Sequence, residues 1–192
     1  MSRGRQSAAL DPFIVAHMNP LIKQLSTYAT YHRDPRNIGT HFVGVPMIVV
    51  AVCGFLSRPG FDVAGLTLSP VWLVGVAAAI FYFRLDLRYG LVMSGLLAFA
   101  GWLAHFLAAQ STGVWLASSA GLFVVGWVIQ FVGHYYEGKK PAFVDDLVGL
   151  LVGPLFVTAE LGFMLGLRKS VKAEIEQIAG PTRLRQLKPV AG

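Results

Sequence analysis

Five apolar runs dominate this chain, and their length constrains its fold more than any other feature. Residues 38–57, 66–83, 89–109 and 113–132 contain no Asp, Glu, Lys or Arg. Each is close to the roughly 20 residues a helix needs to cross about 30 Å of hydrocarbon. A fifth run, 147–167, carries Gly153-Pro154 and a carboxylate, Glu160. At 55% hydrophobic and 14% charged residues, with mean hydropathy +0.59, the chain is too apolar for an ordinary soluble domain. The expected fold is all-α: an integral membrane helical bundle of about four spans, with a Pro-broken fifth apolar helix or re-entrant hairpin.

The ends differ from the middle. Between residues 10 and 31, Phe13, Ile14, His17, Leu21, Leu25 and Tyr28 recur at three- and four-residue steps, as on one helical face. This predicts an N-terminal amphipathic helix on the membrane surface or against the bundle, with Pro20 starting or kinking it. The charged segment from Arg168 contains a helical stretch, 169–178, ended by Gly180-Pro181. The whole reads as a single membrane-embedded domain, 1–192, with 1–9 and 180–192 as flexible tails. The basic N-terminus is not followed directly by an apolar run with a cleavage site, so no cleaved signal peptide is expected. The lone cysteine, Cys53, argues against a disulfide framework and a thiolate metal cluster.

Net charge is +6, but the basic residues fall in tails and short loops. That pattern points to topology and anionic lipid head groups rather than to nucleic acid. Lys and Arg alternate between loops so as to put both termini inside, which four crossings satisfy and five do not. This places His32 and His41 at the inner end of the first span and His134 at the inner end of the fourth. His105 falls near the outer end of the third, about 20 Å or more away. His17 could fold over the site.

Those three histidines sit in two polar patches. One reads Tyr31-His32-Arg33-Asp34-Pro35-Arg36-Asn37-Ile38-Gly39-Thr40-His41, the other Gln130-Phe131-Val132-Gly133-His134-Tyr135-Tyr136-Glu137-Gly138-Lys139-Lys140-Pro141. Neutral imidazole suits iron, zinc and copper. His32, His41 and His134 are therefore candidate metal ligands, against the plainer reading of hydrogen-bonded packing residues. Glu137 is three residues past His134, on the same helical side, as a ligand or as a partner fixing the imidazole tautomer. Asn37 is a neutral hydrogen bonder between two of the histidines. Arg33, Arg36, Lys139 and Lys140 supply positive charge suited to an acidic head group. Glu160 is a candidate because a carboxylate in an apolar run is costly, or it pairs with Arg84, Arg88 or Arg168. Asp34-Pro35 reads as a turn start, and Asp145 and Asp146 as a cap and first-turn charge for the fifth apolar helix.

At these patches the sequence resembles the small membrane proteins related to the yeast 2-hydroxy fatty acid dioxygenase. The resemblance rests on Tyr31-His32 with Pro35, Asn37, His41 and Pro46, then Gly126-Trp127 with Gln130-Phe131-Val132-Gly133-His134. Glu137, Pro141-Ala142, Asp146, Pro154 and Glu160 complete it, over roughly residues 25–168. It implies an Fe2+-dependent enzyme of fatty acid α-oxidation that takes a 2-hydroxy fatty acid and O2. The products would be carbon dioxide and the acid shorter by one carbon. On that reading His32, His41 and His134 are metal ligands, and Asn37, Glu137 and Glu160 serve catalysis. Arg33, Arg36, Lys139 and Lys140 hold the substrate carboxylate. Membrane lipid is the other partner, and a homo-oligomer is compatible with the sequence. The location would be a bacterial inner membrane, or the endoplasmic reticulum in a eukaryote, with the metal on the cytoplasmic side. Three alternatives stand beside it: a non-enzymatic metal- or heme-binding membrane protein, a zinc-dependent lipid hydrolase, and a small transporter.

Overall fold

The computed structural model describes residues 18–186. His17, Phe13, Ile14 and the extreme tail from 187 lie outside the described residues. Helix α1 (Pro20–Ala29) starts with Pro20 at its first position, where the missing N–H costs nothing, and Asn19 Oδ1 accepts the Leu21 N–H at 2.9 Å. Its buried face is Leu21, Leu25 and Tyr28, the stripe expected from the spacing. Helix α2 (Pro35–Ser57) repeats the device: Asp34 caps it by accepting the Arg36 N–H at 2.9 Å, and Pro35 opens it. Asp34-Pro35 thus starts a spanning helix.

The second apolar run is divided. Residues 66–68 do not join the helix but form β2 (Leu66–Leu68), paired antiparallel with β1 (Phe61–Val63) across a turn in which Ala64 and Gly65 both have positive φ. Helix α3 (Pro70–Leu85) begins only at Pro70. Its 16 residues span about 24 Å at 1.5 Å each, less than the hydrocarbon thickness. Asp86 ends α3 and caps α4 (Leu87–Ala108), accepting the Tyr89 N–H at 3.0 Å. Helix α5 (Thr112–Glu137) follows, and Gly138, at φ 63°, closes it in the left-handed cap that favours glycine. Among the described residues α2, α4 and α5 are long and apolar enough to cross a membrane.

The break expected at Gly153-Pro154 lies elsewhere. Helix α6 (Gly149–Met164) runs through Pro154. The turn comes at 165–168, after which α7 (Lys169–Ala179) leaves at 117°. Composition explains the position: α7 carries Lys169, Lys172, Glu174 and Glu176, which lipid would not accept, so it lies across the end of the bundle. Val171 and Ile175 are its buried face, in the same core as Leu21, Leu25 and Phe156. Arg168 anchors the corner, its guanidinium 2.7 Å from Asp86.

Glycines draw α2 and α5 together. A Cβ at Gly44 would stand 2.8 Å from the Gly126 carbonyl oxygen, and one at Gly126 3.0 Å from that of Gly44. Small residues that let backbones touch are the main packing device available in lipid, where burial of apolar groups drives nothing. Around this pair Trp72, Leu73, Phe99, Trp102, Val128 and Phe131 point outward and are exposed, as side chains facing acyl chains should be.

Candidate metal centre

Three elements converge at one end of the bundle. His32 lies in the turn after α1, His41 in the second turn of α2, and His134 in the last turn of α5. All three are buried, and one ligand nitrogen from each lies within 4.8 Å of the others. His105, in the last turn of α4, is not part of this group.

The local chain dictates how two of these rings face. His32 Nδ1 is 2.7 Å from the Tyr28 carbonyl oxygen, and His41 Nδ1 is 2.8 Å from that of Asn37. A carbonyl only accepts, so each Nδ1 carries the proton and each Nε2 presents a lone pair. The two Nε2 atoms are 3.0 Å apart. Two lone pairs at that distance repel unless a cation lies between them. A proton is a poor candidate: burial, then the neighbouring His41, holds the His32 pKa well below its ordinary value. A metal ion fits, since two nitrogens bound about 2.1 Å from one ion and at right angles are separated by about 3.0 Å. The third ring agrees, because His134 Nδ1 is buried with no hydrogen-bond partner. The three imidazoles could hold a metal ion through nitrogen donors, a set compatible with iron.

Glu137 ties the ligand-bearing segments together. Its Oε2 accepts the N–H of Arg33 at 3.0 Å, the N–H of Asp34 at 2.7 Å and the Asn37 side-chain amide at 3.2 Å. It thus links the end of α5 to the residue after His32 and to the first turn of α2. Charge-assisted hydrogen bonds of this kind are about twice as strong as neutral ones. Asn37 adds a bond from its side-chain amide to the Tyr31 carbonyl at 3.1 Å. Glu137 and Asn37 are therefore next to the histidines and tie together the segments that carry them.

Glu160 pairs with Arg33, at 3.3 Å, rather than with Arg84, Arg88 or Arg168. The four basic residues expected to hold a carboxylate are each engaged elsewhere. Arg33 also donates to the carbonyls of Ala29, His32 and Gly180, and Arg36 clasps Asp34 and reaches the Arg185 carbonyl. Lys139 donates to the Thr30 carbonyl and Lys140 to Asp145. None of the four lines the cavity beside the histidines.

Residues 180–186, expected as flexible tail, return to this end of the bundle. Arg183 N–H donates to the Arg33 carbonyl at 2.9 Å and Arg185 N–H to Asp34 at 2.8 Å, while the Arg185 guanidinium meets the Glu137 carbonyl. Asp34, held first by the Arg36 hydrogen bond, has its pKa depressed to about 2.

Two residues outside the expected set belong to the site. Tyr28 stacks on His32, ring centroids 4.1 Å apart and planes 2° from parallel, while its carbonyl sets the tautomer. A signal existed: Tyr28 precedes His32 by four residues, as Asn37 precedes His41, the helical offset of a back-bonded imidazole. Gln130, one turn before His134, lines the adjoining cavity.

A family model described as "2-hydroxy-palmitic acid dioxygenase Mpo1-like" matches residues 18–165. The chain is 35% identical over 158 residues to the 2-hydroxy-palmitic acid dioxygenase MPO1 of Saccharomyces cerevisiae, covering 81% of this chain and 87% of the yeast protein. No solved structure matches.

Proposed function

This chain belongs to the Mpo1-like family, and from that premise we propose that it is an iron(II)-dependent dioxygenase that cleaves 2-hydroxy fatty acids to carbon dioxide and the fatty acid shorter by one carbon. The reaction balances as R–CH(OH)–COOH + O2 → R–COOH + CO2 + H2O. The organic substrate gives up four electrons, the number O2 takes, so no further reductant is needed. The observation that carries the metal part is the His32–His41 pair, whose Nε2 lone pairs meet at 3.0 Å while both Nδ1 protons are committed to carbonyls.

Iron(II) held by His32, His41 and His134 would supply dioxygen activation and a cationic partner for the substrate carboxylate. The protein residues do the rest. Glu137 and Asn37 are positioning residues, fixing the turn that carries His32 and the helix that carries His41. Glu160 pins Arg33, and through it the Gly180 carbonyl, over the outer side of the same turn. Tyr28 and Phe156 cover His32 and keep bulk water from it. Lys139, bonded to the neutral Thr30 carbonyl, keeps a positive charge on this face, on the cytoplasmic side of the membrane, where it draws anionic amphiphiles.

The test is O2 uptake and product analysis with purified protein, iron(II) and long-chain 2-hydroxy acids. Iron-dependent formation of the one-carbon-shorter acid and CO2, lost in His41→Ala, is the expected result. Folded, iron-loaded protein that consumes no O2 with any of several chain lengths refutes the proposal.

A further inference from the structure

The three histidines are not the end of the site. A cavity of about 60 Å³ adjoins His41 and His134, walled by α2, α5 and α6, by Tyr28 of α1 and by residues 141–143. Its polarity falls with depth. On α2 it passes from His41 to Val45, then Ile48 and Val49, which lie about 6 to 12 Å further along the helix. On α5 it passes from His134 to Gln130, one turn in, and then to Trp127. One end is therefore imidazole, the other hydrocarbon, and on α5 the Gln130 amide stands between them.

The oxygen of that amide has no hydrogen-bond partner among the described residues. Gln130 is 5% exposed, and its Oε1 is buried without a hydrogen bond. A buried orphan of this kind costs about 1–3 kcal/mol, so it needs a reason. Room has been made for it: a Cβ at Gly44 would stand 3.1 Å from Gln130 Cγ and 3.3 Å from its Cδ. Gly149 and Gly153 of α6 also line the cavity, where a Cβ would meet the Phe143 backbone and the Tyr28 hydroxyl.

We propose that this cavity is the acyl slot of the site and that Gln130 is its specificity-determining residue, hydrogen-bonding the 2-hydroxyl of a 2-hydroxy fatty acid. This rests on the dioxygenase reading for the substrate class. The head group faces the histidines, the first methylenes pass Val45, Ile48 and Trp127, and the remaining chain continues between helices into lipid. An unhydroxylated fatty acid leaves the Gln130 amide unpaired and is discriminated against, because a site built to bond a hydroxyl rejects the analogue lacking it.

The experiment measures binding, so that it stands apart from turnover. Full-length iron(II)-loaded protein in nanodiscs is held without oxygen, and 2-hydroxyhexadecanoic and hexadecanoic acids compete against a fluorescent fatty acid. Wild type should prefer the hydroxy acid. Gln130→Met, close in shape, should lose about tenfold of that preference with hexadecanoic acid affinity unchanged. Its thermal midpoint should be equal or higher, since an unpaired buried amide has gone; a merely structural glutamine would lower the midpoint and leave selectivity intact. Ile48→Trp should weaken both acids alike and keep iron content. Unchanged selectivity in Gln130→Met, or none in wild type, overturns the proposal. Admitting oxygen then tests the reaction separately: selective binding without O2 uptake refutes the dioxygenase and leaves Gln130 as the hydroxyl's partner.

Discussion

Gly133 faces α2 at close range beside the histidines, and replacing it by alanine should open the metal centre. A Cβ there would stand 2.0 Å from Thr40 Oγ1 and 2.5 Å from Asn37 Oδ1. Ordinary contact begins at about 3.4 Å, so something must give by about 1.4 Å. Neither neighbour is loose: Thr40 Oγ1 donates to the Asn37 carbonyl at 2.7 Å, and the Asn37 side chain bridges Tyr31 and Glu137. The strain therefore passes to the helices, separating α2, with His41, from α5, with His134. Overpacking of this kind costs about 1–3 kcal/mol. Disturbing what orients a ligand lowers metal affinity by about 10- to 100-fold. Gly39→Ala is the control, since a Cβ there meets nothing within 4 Å on the same helix as His41. Iron content after equilibration with a competing chelator and thermal unfolding in detergent are the assays. Thr40→Ala added to Gly133→Ala should restore part of the loss, because the Asn37 contact remains. A Gly133→Ala protein that keeps wild-type iron affinity and melting temperature would refute the argument that this approach sets the histidine spacing.

Removing the metal should lower the thermal midpoint, because binding to the folded state alone stabilises it by RT ln(1 + [L]/Kd); a chelator that shifts wild type but not His134→Ala identifies the site, and equal shifts in both refute it. Glu137→Ala leaves two backbone N–H groups and an amide without their acceptor, and should destabilise by about 3 kcal/mol or more, with Glu137→Gln intermediate. Asp86 is partly buried, which raises its pKa, yet hydrogen bonds from Arg168 and Tyr89 bring it below the ordinary carboxylate value. Its contribution is complete above that ordinary value and is lost as pH falls through the depressed one; denaturation of wild type and Asp86→Asn at pH 2–5 should converge at the acid end, and a constant gap would count against it.

Much of this molecule was legible in its residue order. A run of about 20 apolar residues has few fates, so α2, α4 and α5 stood out, and the amphipathic spacing of Leu21, Leu25 and Tyr28 gave α1 its buried face. The topology implied by the loop charges brought His32, His41 and His134 to one end of the bundle. Their neighbours were harder. Glu137 read as a ligand or as a partner fixing the imidazole tautomer because helical spacing puts it near His134, but spacing says which side a carboxylate is on, not which donors reach it. Two backbone N–H groups about a hundred residues away did so. Glu160 and Arg33 are 127 positions apart, and nothing local distinguishes that pairing from one with Arg84. The break in the fifth run was placed at Pro154 by local chemistry, whereas tertiary packing carried the helix through it and turned the chain where charge began. Periodicity and hydropathy are one-dimensional properties, carried by each segment alone. Which lone pairs meet, which carboxylate caps which turn and which amide is left unpaired depend on distances between segments, and those exist only once the helices have packed.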